Sequence, residues 1–413
     1  ASLVEKTKLT RIANTNLTLA EALQNDQLSS DFRVTGELHQ LAQELEDLIV
    51  QDPRFRGTEH LMLNRFSGMS GFYPTCAGAA LVNHSLSSGS PKLAISWLEK
   101  LLTAESADGI IIATLWGAPV DQVITFNDTV SLVPIKDLPG SPEKLELLDP
   151  NRRGLLSSSL WGIQMPQSAL VYKYQVTPHL TTESSPLKYA MFEVERPIHE
   201  ALDDIGLVLT LIGPRCVLRS VTWFNYVDSD IEKSLLGRGN HCPAQEIMPL
   251  GPPDSAPLDP YESKRIVNLY LALSGQTRDK LRVAINRLNR ALIRRSIGDR
   301  AVELSIAFEA LLSDGGTAEM THKVKVRATR LLGGADEQRS FHASILTKTY
   351  EIRSKLVHTG HDETGTKPIL GNRMPVEEIV KIATNLCSNL IIRILERGSI
   401  PEWSTFDISD ASE

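Results

Sequence analysis

The sequence predicts an α+β N-terminal region, built mainly on an antiparallel sheet with helices, followed by an all-α helical bundle. Two observations lead to this division. Between residues 110 and 223, short runs rich in Val, Ile, Tyr and Trp alternate with turn residues, with few long helical patterns between them. Beyond a proline-rich stretch at 247–260, apolar residues recur at helical spacing almost to the end of the chain.

The N-terminal region begins with two predicted amphipathic helices, at 36–50 and 91–104, in which apolar residues recur every three or four positions. Strands are predicted where β-branched and aromatic residues lie between Gly, Pro, Asn or Asp. The predicted strands are 110–116, 122–126, 130–134, 169–175, 189–194, 207–212 and 217–223. Because most of them have no long helical pattern between them, an antiparallel sheet is favoured over a doubly wound one.

The segment 247–260 contains five prolines and predicts a linker, because proline removes a backbone donor and disrupts both helices and central strands. It separates a predicted N-terminal domain at 1–246 from a helical domain at 261–400. Residues 401–413 are acidic and are predicted to form a loosely held tail.

The helical domain is predicted to contain a series of amphipathic helices. Their ranges are 262–274, 279–296, 300–312, 319–332, 336–358 and a last one that runs from after Pro375 to Arg397. Asp299 is predicted to cap the third of these helices, and Gly360 to end the fifth.

Composition excludes several classes of protein. No run of eighteen apolar residues is present, which argues against a membrane-spanning helix, and residues 1–19 lack the apolar segment of a secretory signal. The four cysteines form no CxxC pair, so neither a disulfide framework nor a zinc knuckle is expected, and a cytoplasmic location is predicted.

The net charge of −7 is unevenly spread along the chain. Residues 255–413 carry 23 basic and 20 acidic residues, whereas residues 1–254 carry 20 basic and 30 acidic residues. A polyanion is therefore expected to meet the C-terminal part of the protein.

Walker, GxGxxG, HExxH and GxSxG motifs are all missing from the sequence. One group of residues remains as a candidate catalytic site. Arg353, Ser354 and His358 lie near the predicted end of a helix, in TYEIRSKLVHTG. A histidine can exchange protons near neutral pH with the 2′-hydroxyl or the leaving oxygen of RNA. A guanidinium can hold the negative charge of the phosphorane with two donors. No metal is needed, because the 2′-hydroxyl is the nucleophile.

The Arg-to-His spacing by itself is weak evidence, because it recurs elsewhere in the chain. The other instances are Arg33/His39 and Arg54/His60. Residues five apart lie about 140° apart on a straight helix, so the pair shares a site only if the helix frays after Val357 or the arginine wraps around it. A capping histidine and an unrelated surface arginine remain the alternative at this point.

The stretch from about 279 to 397 resembles a HEPN domain, most closely the Apea-like branch of that family. The resemblance rests on DRAVELSIAFEALLSDG (299–315), EMTHKVKVRATRLLG (319–333), TYEIRSKLVHTG (349–360) and a last apolar helix at 376–397. It implies an all-α bundle that acts as an endoribonuclease with neither metal nor cofactor. It also implies a homodimer in which two Arg/His pairs face one cleft.

The resemblance has further implications for the biological role. Members of this branch act in bacterial defence against phage, which implies a regulated toxin that cuts RNA such as tRNA. Residues 1–246 would then sense a phage-derived trigger or hold the nuclease inactive.

Carried over by position, the resemblance makes Arg353 the phosphate clamp, His358 the general acid/base and Ser354 the polar residue that orients them. Ser stands where Asn or Asp is more usual in the family, which leaves its role open. Glu309 is either a partner of Arg353 or part of a solvated helix face. Six basic residues are predicted to contact RNA, with an ordinary solvated surface as the alternative: Arg287, Arg290, Arg294, Lys323, Arg327 and Lys355.

Two alternative functions stay open. The helical domain could be a non-catalytic HEPN module that serves as a scaffold, a sensor or an RNA-binding protein. An enzyme in the N-terminal region is a weaker alternative, because its candidate residues show no motif geometry. These residues are His39, His60, His84 and Asp121.

Overall fold

The structure is a computed structural model that describes residues 37–55, 59–66, 68–148, 165–177, 180–182, 187–232, 234, 240–241, 256–314 and 319–408. The chain divides into two units that interleave along the sequence. The first comprises Ala1–Ile112, Val171–His199 and Thr222–Cys242, and the second comprises Ala113–Leu170, Glu200–Val221 and Pro243–Glu413. Most of the predicted linker at 247–260 lies outside the described residues.

The N-terminal half has mixed α and β structure. Its helices are α1 (Glu37–Val50), α2 (Pro74–Ser88), α3 (Pro91–Thr103), α4 (Pro142–Leu148), α5 (Leu187–Val208) and α6 (Ser229–Glu232). Its strands are β1 (Leu61–Arg65), β2 (Gly68–Phe72), β3 (Ala107–Trp116), β4 (Ile124–Thr125), β5 (Val130–Pro134), β6 (Ser168–Val176), β7 (Leu180–Thr182), β8 (Leu218–Tyr226) and β9 (Asn240–His241). Short 3₁₀ turns lie at Pro53–Phe55, Ile135–Asp137 and Leu209–Leu211.

The strands form two sheets. In the larger sheet the order is β4-β5-β6-β3-β8-β9, and the pairs β4–β5 and β8–β9 are antiparallel. The last six residues of β3 are all buried, as expected for a central strand that is covered on both faces. The smaller sheet has the order β2-β1-β7 with antiparallel pairing throughout, and Leu61 lies opposite both Phe72 and Thr182. An antiparallel sheet with helices was predicted for this half, and that coarse prediction is confirmed.

Two of the predicted strands are wrong. Residues 189–194 lie within helix α5, and residues 207–212 form the end of α5 and the 3₁₀ turn that follows it. The buried residues Glu195, Ile198, Leu202 and Ile205 recur at intervals of three and four, which is the period of a helix. Pro197 lies inside α5 and interrupts the pattern that would have predicted a helix there.

The C-terminal region is helical, as predicted. Its elements are α7 (Pro260–Leu271), α8 (Gly275–Ile293), α9 (Ile297–Leu312), α10 (Met320–Leu332), α11 (Asp336–Thr359), β10 (Thr366–Ile369), β11 (Asn372–Pro375), α12 (Val376–Arg397) and α13 (Trp403–Phe406). Helix α12 contacts α7, α8, α9, α10 and α11, and its buried stripe from Val376 to Leu395 forms the centre of this bundle. The apolar periodicity of α12 therefore places the core of the helical region.

Three details of this region differ from the prediction. Ser296 rather than Asp299 caps α9, because its hydroxyl accepts a hydrogen bond from the backbone N–H of Asp299 at 3.0 Å. The hairpin β10–β11 was not predicted, and Leu370 and Gly371 form its two-residue turn. The predicted loose tail is wrong for residues 401–408, because Trp403 is 3% exposed and packs on the helices. Residues 409–413 lie outside the described part of the chain.

Candidate functional site

Helix α11 carries the predicted Arg353–His358 pair close to its C-terminal end. Arg353 and Ser354 are half-buried, whereas His358 is exposed in the last turn. The helix continues to Thr359 and ends at Gly360, which has a φ of +70° and donates its N–H to the carbonyl of Leu356 at 2.8 Å. Both side chains therefore reach the surface of the helical region.

The continuous helix separates the two side chains around its axis. It does not fray after Val357, so Arg353 and His358 project about 140° apart. Within the described residues, the Arg353 guanidinium forms no ion pair and the His358 ring accepts or donates no hydrogen bond. One chain alone thus does not aim both groups at the same phosphate.

Arg353 belongs to a small charged cluster that also contains Tyr350 and Glu309. Tyr350 is 7% exposed, and its hydroxyl donates a long hydrogen bond of 3.5 Å to the carbonyl of Ser305. Burial raises the pKa of Tyr350 well above its usual range, the Glu309 carboxylate beside it acts in the same direction, and the Arg353 charge opposes both. Glu309 on α9 and Arg353 on α11 therefore act on one buried phenol between them.

Tyr350 was not among the predicted site residues. It precedes Arg353 by three positions, so both residues lie on one side of α11. That spacing was the available signal. The contact with Ser305 on α9, 45 positions away, could not be inferred from it.

A surface groove of about 460 Å³ lies beside Glu309. Its walls come from the first half of α8, which contributes Asp279, Lys280 and Val283, and from the last turn of α9. Val283 is 47% exposed, so the groove has an apolar wall as well as charges of both signs. Glu309 thus stands between an open groove and the Tyr350–Arg353 side of the bundle.

The loop after α11 is held to the helix by ion pairs. The Glu363 carboxylate accepts from Lys355 at 2.8 Å and from Lys367 at 2.9 Å. The hydrogen bonds from these two ammonium groups, of which that of Lys355 has the larger effect, lower the pKa of Glu363 to about 2. Lys355, predicted to contact RNA, is therefore already paired with a carboxylate.

The predicted basic face of α8 is also partly neutralised. Arg287 and Arg294 donate to opposite oxygens of Glu303 at 2.9 and 3.2 Å. Glu303 is 5% exposed, and two guanidiniums satisfy its buried carboxylate. Arg290 is half-buried on the same helix. The three arginines retain partial exposure but carry less free charge than the sequence alone suggests.

Arg327 does not fit its prediction as an open RNA contact. It is 2% exposed, and its guanidinium donates to Asp407 at 2.7 Å, to Asp314 at 3.0 Å and to the carbonyl of Leu312 at 2.6 Å. Lys323, a turn earlier on α10, pairs with Asp314 at 2.9 Å. This part of α10 therefore has its cations occupied by acidic residues of the same chain.

The candidate residues of the N-terminal region make separate contacts. The His60 ring stacks on Tyr73 with centroids 4.6 Å apart, and the His84 ring stacks on Trp97 at 5.7 Å. His39 and Asp121 are exposed. Across the residues that the structure describes, no three His, Cys, Asp or Glu side chains come together as a metal site would require. These contacts do not bring the four residues together as a catalytic site, so they do not support the weaker alternative of an N-terminal enzyme.

Comparison with models of known families, with curated proteins and with solved structures finds no match to this chain. None of the helices described above combines the length and the apolar character that a bilayer crossing requires. A proposal for the function therefore depends on the fold and on the geometry of the candidate site.

Proposed function

We propose that the helical region is a metal-independent endoribonuclease of the HEPN type, with Arg353 and His358 as its catalytic pair. The observation that supports this most is the state of Arg353. It is half-buried and forms no ion pair within the described part of the chain, whereas Arg287, Arg294 and Arg327 are each held by carboxylates. A guanidinium in that position is available to bind a phosphate with two donors.

The roughly 140° angle between the two side chains supports a dimeric site. In a two-fold dimer that packs α11 against its symmetry copy, Arg353 of one subunit and His358 of the other can face the same cleft. Two pairs would then supply two imidazoles and two guanidiniums to one phosphodiester. A homodimer is thus part of the proposal, because one subunit is an incomplete site.

The reaction would be an internal transfer that needs no cofactor. One imidazole takes the proton of the ribose 2′-hydroxyl as its oxygen forms a bond to phosphorus. The bond from phosphorus to the 5′-oxygen breaks, and a second imidazole, in its protonated form, gives that oxygen a proton. The products carry a 2′,3′-cyclic phosphate and a free 5′-hydroxyl. Arg353 stabilises the extra negative charge of the phosphorane between these steps.

Ser354 and Glu309 would act through these groups. Ser354 follows Arg353 on α11 and is half-buried like it, and its hydroxyl would orient a phosphate or its water. Glu309 and Arg353 both act electrostatically on Tyr350, so the Glu309 carboxylate would also attract the Arg353 guanidinium and help to position it. Both are positioning residues in this proposal.

The HEPN resemblance supports a biological role in the cytoplasm. A regulated toxin in defence against phage, which cleaves RNA such as tRNA, fits an enzyme whose basic residues are largely ion-paired in this state. The N-terminal half would sense a phage-derived trigger.

A second candidate function is a non-catalytic HEPN module that mediates assembly or RNA binding. The observation that favours it is the unbroken helix to Thr359, which keeps Arg353 and His358 apart in one chain. The two candidates differ in whether either side chain matters to RNA cleavage.

The test uses the full-length protein, a structured RNA such as tRNA, and buffer with excess chelator. Arg353→Ala and His358→Ala should each reduce cleavage by about a hundredfold or more, as expected for loss of an electrostatic clamp or a general acid/base. Matched controls are Arg393→Ala, an arginine whose side chain is 59% exposed, and His361→Ala, an exposed histidine in the following loop. Both controls should cleave at the wild-type rate.

Product analysis should find 2′,3′-cyclic phosphate ends. Equal cleavage by wild type and by both site variants would refute the nuclease assignment. An absence of cleavage by the wild-type dimer on every RNA tested would leave the assembly module as the better description.

A further inference from the structure

The C-terminal segment 401–408, which we call the C-terminal strap, packs on one face of α10. The Arg327 guanidinium lies over the Trp403 ring at 5.0 Å, and the Arg330 guanidinium lies over the Phe406 ring at 4.9 Å. Because Arg327 and Arg330 are three residues apart, they lie on the same side of the helix. Two successive aromatic rings are thus stacked on two successive arginines.

The strap also gives each arginine an oxygen acceptor. The Asp407 carboxylate accepts from the Arg327 Nη2 at 2.7 Å and from its Nε at 3.1 Å. The Asp407 backbone carbonyl accepts from the Arg330 Nη1 at 2.6 Å. The strap therefore supplies each of the two arginines with one aromatic ring and at least one oxygen acceptor.

An unpaired RNA strand offers the same groups. Its bases stack on guanidinium planes, and its phosphate oxygens accept two parallel hydrogen bonds from one arginine. Arg327 and Arg330 rise about 4.5 Å relative to each other along the helix axis, so a strand could engage both with neighbouring nucleotides. The strap matches the chemistry of the ligand predicted for this helix.

We propose that the Arg327–Arg330 face of α10 is a binding site for an unpaired RNA strand and that the strap occupies this site in the described state. This inference rests on the proposed function, and it adds a second RNA contact together with the means of blocking it. The strap acts as an internal competitor, so RNA binds α10 only after the strap leaves.

The attachment of the strap is suited to release. It follows Gly398, where α12 ends with a φ of +78°, and five of its eight residues are exposed. Detaching it uncovers chiefly the buried Trp403 and the half-buried Phe406. It also removes the two rings and the Asp407 oxygens from the arginines, while Arg327 keeps its hydrogen bonds to Asp314 and to the Leu312 carbonyl. The site and its occupant are therefore joined by a short connection at the end of the bundle.

The experiment measures binding rather than cleavage. The probe is a fluorescent 2′-O-methyl oligouridylate of about twelve nucleotides, within the usual range of single-strand sites. Such a probe has no free 2′-hydroxyl and cannot be cleaved by the proposed reaction. Anisotropy titrations compare the full-length protein with Asp407→Asn and with Phe406→Ala. The control is Asp336→Asn, which removes one negative charge from an exposed ion pair with Arg339 on α11 and not from the strap.

Asp407→Asn and Phe406→Ala should each raise the affinity for the probe by about fivefold to tenfold, because a charge-assisted contact or an arginine–aromatic contact of the strap is lost. Asp336→Asn should change it less than twofold, about the effect of one solvent-exposed charge that does not contact the site. Arg330→Ala combined with Asp407→Asn should cancel the gain. Circular dichroism checks that Phe406→Ala keeps its helix content, and Asp407 is exposed enough for its variant to fold.

Unchanged affinity in both strap variants, or a gain that survives Arg330→Ala, would overturn the inference. A failure of the nuclease proposal looks different. In that case the strap variants bind the probe more tightly while no RNA is cleaved. If cleavage depends on Arg353 and His358 but the strap variants bind no better than wild type, only this inference fails.

Discussion

Asn289 on α8 offers a sharp test of how the bundle is joined to the start of β8. Its side-chain oxygen accepts from the Val217 N–H at 2.9 Å, and its side-chain nitrogen donates to the Val217 carbonyl at 2.7 Å. Asn289 is 6% exposed and Val217 is 3% exposed. One amide therefore satisfies both polar groups of a buried backbone position, as a neighbouring strand would.

Replacing Asn289 with Ala should lower the free energy of unfolding by about 2–4 kcal/mol. The reason is that two buried backbone groups lose their partners, and each unsatisfied group costs about 1–3 kcal/mol. Water that enters the space left by the amide can hydrogen-bond to these backbone groups, so we expect a loss toward the lower end of the summed costs. Asn289→Asp should be at least as destabilising, because a carboxylate oxygen would then face the Val217 carbonyl without a donor between them.

The assay is urea unfolding at neutral pH, followed by circular dichroism. A loss of about 2–4 kcal/mol moves the midpoint by about 1 M for a slope of 2–3 kcal/mol/M. Asn286→Ala is the matched control, since Asn286 is exposed on the same helix three residues earlier. A midpoint for Asn289→Ala that equals that of Asn286→Ala would refute the argument that this amide stabilises the fold.

Three further substitutions test the hairpin and the loop beside α11. Leu370 has a φ of +44° at the hairpin turn and is 59% exposed, so Leu370→Asn should raise the free energy of unfolding by about 1 kcal/mol by relieving left-handed strain. Gly371→Ala, at a φ of +88°, should lower it by a similar amount, and equal urea midpoints would contradict both expectations. Glu363→Gln should cost about 1 kcal/mol at pH 7, because it removes a partly exposed pairing with Lys355 and Lys367. The pKa of Glu363 is lowered from 4.5 to about 2, so the pairing stabilises the fold fully above about pH 4.5, and the difference between variant and wild type should shrink between pH 4.5 and 2. A difference that is constant over this range would show that the lysines do not lower that pKa.

Periodic helices of the C-terminal region were predictable from the sequence. The predicted range 336–358 compares with Asp336–Thr359 for α11, and the predicted start after Pro375 compares with Val376 for α12. Both helices have an apolar stripe at helical spacing and no strong breaker inside the predicted range. A glycine marks the end of α11 and a proline marks the start of α12, so local sequence was sufficient to predict them. The spacing of Arg353 and His358 was available in the same way.

Helices that are buried or interrupted were harder to predict. Helix α2 was missed, because most of its first half, which is rich in Ala, is buried and shows little amphipathic contrast. A Cβ atom on Gly78 would lie 2.5 Å from the carbonyl oxygen of Ala42, so this position serves a close approach of two helices. Helix α5 was misassigned, because Pro197 breaks a pattern whose period becomes clear only from burial.

In the candidate site, too, features that depend on neighbouring residues were predictable and features that depend on distant residues were not. Residue order was sufficient to place a guanidinium and an imidazole at the end of α11, since that depends on neighbours within one or two turns. The partners of the other cations could not be read from it. Glu303 neutralises Arg287 from 16 positions away, and Asp407 covers Arg327 from 80 positions away. Such pairings depend on how distant segments approach in space, so only the tertiary structure determines which arginines are held by carboxylates.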